Sequence, residues 1–295
     1  MRLIKWLLVT FALLFSEASV AAADRTVAQP LDQKTLRDVS LDEALKQPRL
    51  LSAFFGLDDG LPFMANILCM GAWMQDGMPV VLSHKIDAKT LQPEDFRVVS
   101  RSGAEHAPDC VTLRPGDDSG ELRTALLIGQ FGNEPDDPPL VVHVVDDLYT
   151  QTKRGLNFKG ASVAVTPLDA GPFMVAAETV LVQRSSTQSR GTSCPVGTLQ
   201  IVQVTWAGGV RRPDREEVGD AERVLYQVTI KSEDGSKATI APVALADLGD
   251  NDNYHLLCLD TLDPAVAVSF PAGHLVDPNQ DLNPASWFAI GPPQK

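Results

Sequence analysis

Beyond residue 23, no stretch of this chain approaches the 18 consecutive apolar residues of a membrane-spanning helix, so no transmembrane segment is predicted. Cysteine is scarce: four residues, widely spaced, with no Cys-x-x-Cys pair, which argues against a zinc knuckle or a dithiol redox motif. HExxH, Gly-x-Gly-x-x-Gly, the phosphate-binding Gly-x4-Gly-Lys loop and a Ser-x-x-Lys pair with partners are all missing. Gly160-Ala-Ser-Val-Ala164 approaches a nucleophile elbow. It ends in Ala and lies in a strand-like run, so Ser162 reads as an ordinary strand serine. Positive charge is also short, with 25 Lys and Arg against 38 Asp and Glu, a formal net charge of −13. Such a surface repels phosphates and anionic lipid, which argues against nucleic acid and anionic membranes as partners. No Asn-x-Ser/Thr sequon occurs, and the four Trp and eleven Phe form no stripe suited to a sugar platform.

The start of the chain says where it works. Arg2 and Lys5 precede the apolar run Trp6–Phe15, and Ala21-Ala22-Ala23 offers small residues ahead of Asp24. That layout predicts a secretory signal peptide over residues 1–23, too short to span a bilayer. No cysteine follows the run to carry a lipid anchor. The expected protein is therefore exported, to a periplasm or an extracellular space. In an oxidising compartment Cys69, Cys110, Cys194 and Cys258 predict two disulfides, for which three connectivities exist. We expect Cys69–Cys110 and Cys194–Cys258, because each pair stays within one half of the chain.

Residues 24–50 are polar, and Ser40 with Glu43 forms a capping box that predicts a short helix near 41–47. From there on, short apolar or alternating runs are broken by Gly, Pro and Asp. Strands are predicted at Val80–Ile86, Phe96–Arg101, Cys110–Arg114, Thr124–Phe131, Leu140–Asp146, Ala161–Thr166 and Phe173–Val182. In the second half they are predicted at Leu199–Trp206, Val224–Lys231, Ala238–Val243, Tyr254–Leu259 and Val266–Phe270. Val202, Val204 and Trp206 alternate with Ile201, Gln203 and Thr205, which leaves one apolar face. Strands at this spacing, without helical periods between them, predict a mainly β protein of two antiparallel sandwich-like domains. The first would cover 51–182 and the second 194–295, joined by a polar linker at 183–193. One continuous β structure with 183–193 as a loop is the alternative.

The sharpest local signal is Asp247-Leu-Gly-Asp-Asn-Asp-Asn253, followed by Asp277-Pro-Asn-Gln-Asp-Leu-Asn283. Together these segments hold five Asp and four Asn in 14 positions. Calcium takes six to eight oxygen ligands, and carboxylates with amide carbonyls on tight loops supply them. The candidate ligands are Asp247, Asp250, Asn251, Asp252, Asn253, Asp277 and Asp281. Asp and Asn also dominate plain β-turns, so the turn reading stands beside the calcium one. Asn251-Asp252-Asn253 resembles the Asp-x-Asn-Asp-Asn calcium segment of cadherin-type repeats, with Gly249 where that pattern begins with Asp. The EF-hand pattern is not met, since His255 stands at the position that requires Gly. In the first half, Leu91-Gln-Pro93-Glu-Asp-Phe96-Arg-Val98 resembles the Leu-x-Pro-x-x-Phe-x-Val strand entry of bacterial immunoglobulin-like modules. The resemblance implies a turn leading into a strand whose Phe plugs a sandwich core.

No two of the five histidines share a metal-ligand spacing. His143 reads as a partly buried strand residue. His255 and His274 lie near the acidic segments, where a His–Asp pair would do acid–base chemistry. The acid pairs Asp58-Asp59, Asp117-Asp118, Asp136-Asp137 and Asp146-Asp147 read as loop or strand-end residues facing water. The reading that follows is an exported β-sandwich binding or interaction protein, stabilised by calcium. The alternative is a periplasmic hydrolase whose Asp and His residues converge from the C-terminal half.

Overall fold

Each predicted strand has a counterpart in the computed structural model, which describes residues 47–152, 155–180, 191–250 and 252–291. The expected signal peptide, nearly all of the expected 41–47 helix, residues 183–190 of the polar stretch and Asn251 lie outside the described residues. Four strands were not foreseen from the pattern: Leu50–Phe54, Glu105–His106, Ala244–Ala246 and Ser286–Ala289. Leu45–Lys295 form one compact unit.

The first eight strands are β1 (Leu50–Phe54), β2 (Asp76–Leu82), β3 (Phe96–Ser100), β4 (Glu105–His106), β5 (Cys110–Thr112), β6 (Thr124–Gly129), β7 (Pro139–Val144) and β8 (Ser162–Thr166). They form one sheet in the order β4-β3-β7-β8-β1-β2-β6-β5, antiparallel except for the β1–β8 pair. Its two halves share a core. Met78, Val80 and Leu82 of β2 and Ala125 and Leu127 of β6 pack with Phe96 and Val98 of β3 and Val142 and Val144 of β7. A register shift between Leu50 and Ser52 lets Leu50, Ala53 and Phe55 all reach this core. Ahead of β3, Gln92 N donates to Asp95 Oδ2 (2.7 Å) across the turn Pro93–Asp95. That turn delivers Phe96 fully buried into the core, a burial worth about 1.5–3 kcal/mol.

The second half holds β9 (Met174–Val180), β10 (Gln200–Trp206), β11 (Gln227–Lys231), β12 (Lys237–Ile240), β13 (Ala244–Ala246), β14 (Tyr254–Leu259), β15 (Ala265–Phe270) and β16 (Ser286–Ala289). Two antiparallel sheets, β13-β14-β10-β9 and β12-β11-β15-β16, face each other. Between them lies a core of Val202, Val204, Trp206, Leu257 and Leu259 against Tyr226, Val228, Val268 and Phe270. This is a two-sheet sandwich, and the apolar face predicted for β10 is its inner wall.

The other face of β10 is buried too, although it carries Gln203 and Thr205. It packs against the outer face of the first sheet. At one end of this contact Phe54 and Val81 meet Val175 and Ala207. At the other end the contact is polar: Arg123 and Glu178 form an ion pair at 2.5 Å, and Tyr254 Oη lies 2.7 Å from Thr124 Oγ1. Polar residues on β10 are therefore interface residues, not surface ones.

Both disulfides join the expected partners, Cys69–Cys110 and Cys194–Cys258. Each closes a long loop, and in the chain-entropy account each adds about 2–4 kcal/mol. Among the described residues, no helix is long and apolar enough to cross a membrane.

Candidate functional site

Two loops meet at the polar end of this junction. The first connects β5 to β6 and carries Asp118 and Glu121. Asp118 N donates to Glu121 Oε2 (3.2 Å), and Glu121 N donates to the Asp118 carbonyl (2.9 Å). Its backbone runs close under Tyr254: a Cβ at Gly116 would stand 2.9 Å from the Tyr254 ring. Only glycine allows that approach. The second loop connects β13 to β14. Asp247 (φ 65°) and Gly249 (φ 97°) take left-handed backbone there, which turns the chain tightly enough to gather the acids. Asp247 N donates to the Thr192 carbonyl (2.6 Å), and Cys194–Cys258 ties the Thr192 segment to β14. The bridge thus braces the loop that holds the carboxylates.

In this arrangement the ligand-capable oxygens of Asp118, Glu121 and Asp247 lie within 4.8 Å of one another, as do those of Asp247, Asp250 and Asp252. Asp247 belongs to both groups, so five carboxylates from two loops converge. Burial pushes the carboxyl groups of Glu121 and Asp252 well above the usual range, and their acidic neighbours add to it. Asp250 is raised to about 6, first by burial and then by Asp247. A cluster of this kind is costly when charged and unbound.

Two oxygens in and beside the cluster lack an ordinary donor. Asp252 is 8% exposed; its Oδ1 accepts from Tyr254 N (2.8 Å), while its buried carboxyl group otherwise meets only the carboxyl of Glu121. Gln203, buried on β10, has an unpaired Oε1, and its amide end lies beside Gly120, next to Glu121. An unmatched buried oxygen costs about 1–3 kcal/mol. A cavity of about 220 Å³, walled by Phe54, Leu57 and Leu113, borders Asp252.

The remaining candidates sit elsewhere. Asn253 spends its amide on the Trp206 carbonyl (2.6 Å) and so anchors the loop. Asp277 and Asp281 close a separate turn in which Asp281 N donates to Asp277 Oδ1 (2.8 Å). Neither joins an acidic triad among the described residues. Asn283, in the same turn, accepts from His274 N and Leu275 N. His255 points away from the acids, into the second core, where its Nδ1 lies 2.7 Å from Tyr226 Oη. Burial lowers its pKa to about 4, so the ring is neutral. His274 is exposed, with its ring edge-on to Phe270. No His–Asp pair forms at the acidic site.

Nothing in the sequence marks Asp118 and Glu121 as part of this cluster. They stand about 130 residues from Asp250, and Asp117-Asp118 looked like a solvated loop pair. A third acidic group, Asp58, Asp59 and Asp76, organises turns instead. Asp76 accepts from Asp59 N and Phe131 N, Asp58 from Glu134 N, and Asp59 from Gln130 Nε2. No protein-family model matches the chain, and no curated protein matches it.

Proposed function

We propose that this is an exported binding module whose two halves are locked together by one calcium ion. Asp118, Glu121, Asp247, Asp250 and Asp252 hold the ion. The observation that carries this reading is the convergence of five carboxylates from two distant loops around the buried Asp252. Oxygen donors in this number suit calcium better than zinc, which prefers nitrogen and sulfur and four ligands. Magnesium holds its water more tightly and is served by fewer carboxylates. A cation here neutralises both loops at once and so couples the first sandwich to the second. His255 and His274, the histidines a His–Asp hydrolase site would use here, both lie elsewhere.

Calorimetric titration of chelator-stripped protein tests this. One calcium per chain should bind with Kd at or below about 10⁻⁴ M. Asp250→Asn combined with Asp252→Asn should weaken binding at least tenfold, while the calcium-free fold melts no lower because like charges have been removed. Undiminished affinity in that variant would place the ion elsewhere.

A further inference from the structure

Residues 63–74 connect β1 to β2 and turn the usual arrangement of a loop inside out. The small residues Ala65 and Ala72, together with Cys69, are buried on Leu61 and Ile128. The large ones, Phe63, Met64, Ile67, Met70, Trp73 and Met74, face solvent, from 54% exposed at Met74 to 99% at Met70. Taking roughly 200 Å² for a whole large side chain, the six expose about 800 Å². The largest apolar patch on a typical monomer is about 300–600 Å².

This knob is also built to hold its shape. Leu61 N donates to the Gln75 carbonyl and Met74 N to the Leu61 carbonyl, which closes the base. Asn66 Oδ1 accepts from Gly71 N and Trp73 N across the middle. Cys69–Cys110 pins the loop to β5, and the Phe63 and Trp73 rings meet edge to face at 6.1 Å. An apolar surface held rigid in water is pre-organised for a partner.

We propose that this knob is a self-association surface, through which two copies of the chain pair about a two-fold axis. The area favours that occupant, because about 800 Å² per partner is what a standard stable interface buries. Charge favours it as well. Residues 63–74 carry none, so the two-fold sets no like charges against each other at the centre. Three methionines give the patch the adaptability to pack against its own image. A membrane surface fits less well. No Lys or Arg stands between Arg49 and Lys85, and the flanking charges are Asp58, Asp59 and Asp109. Loops that insert among lipid headgroups are normally held there by basic residues.

Sedimentation velocity on the oxidised, exported chain, from low micromolar to hundreds of micromolar, tests the proposal. A monomer–dimer equilibrium is expected, tightening with added salt because the flanking acids of the two copies repel. Ile67→Asp with Met70→Asp should raise the dimer Kd by about 30-fold or more, the effect of losing a buried apolar anchor. Its melting midpoint when monomeric should be unchanged, since both side chains are exposed in the single chain. A wild-type chain that stays monomeric throughout overturns the proposal. So does a dimer that survives the double substitution, or a monomer that co-sediments with phosphatidylcholine vesicles through the same residues.

Discussion

Glu178→Ala is expected to lower the unfolding free energy by about 3–5 kcal/mol. Glu178 Oε1 pairs with Arg123 Nη2 at 2.5 Å, and both side chains are at least nine-tenths buried. Removing the carboxylate leaves the guanidinium charged and out of water. Arg123 cannot escape by losing its proton. For a unit of this size the loss is a fall in melting midpoint on the order of 10 °C. The pair is not itself a large source of stability, because desolvating two ions offsets most of their attraction. Arg123→Met combined with Glu178→Leu should therefore recover most of the loss. Its two partnerless atoms, Arg123 Nε and Glu178 Oε2, would go as well. Chemical denaturation of the single and double variants measures both quantities. A single variant that loses under about 1 kcal/mol would show that water reaches the pair.

Acid should destabilise the protein through His255, and here the effect is about 3 kcal/mol. The folded chain holds this imidazole neutral down to a pKa of about 4 because it is buried, whereas the unfolded chain accepts the proton near 6.5. A pKa depressed by folding means stability that is present above 6.5 and lost as pH falls from 6.5 towards 4. That difference corresponds to about 3 kcal/mol. The geometry agrees. Trp206 Nε1 donates to Tyr226 Oη, which leaves the phenol proton for His255 Nδ1, so that nitrogen is an acceptor. Asp76, Asp250 and Asp277, each raised to about 6, work in the opposite sense over the same range. The His255 share is therefore read as a difference. His255→Gln keeps an acceptor for Tyr226 and should be less sensitive to acid between pH 6.5 and 4 by about that amount. Identical pH profiles would mean that the imidazole is protonated in the folded protein.

Much of this architecture is legible in the residues. Alternation in β10 marks a strand because the side-chain period of a sheet is two, and its Val202, Val204 and Trp206 do wall the second core. Cysteine positions alone suggested the two disulfides. What the pattern hid has a common physical origin in the contact between the two sandwiches. Gln203 and Thr205 look like outward-facing polar residues and are buried at 3% and 2% exposure, because a second layer covers them. Glu121 and Arg123 look like loop charges for the same reason. Of the two Asp/Asn segments, the first gathers carboxylates and the second is a turn. Composition does not separate them, since the same residues that bind cations also close turns. The acids that complete the first group arrive from a loop far away in the chain.

Thermal unfolding of the oxidised protein in EDTA and in rising free calcium puts the junction site to the test. Only binding to the folded state raises the midpoint, by about 1.4 kcal/mol of stability for each tenfold of calcium above Kd. That rise is expected in the wild type and should be lost in Asp250→Asn with Asp252→Asn. Equal midpoints in EDTA and millimolar calcium would contradict this and leave the five carboxylates as a metal-free seam between two sandwiches.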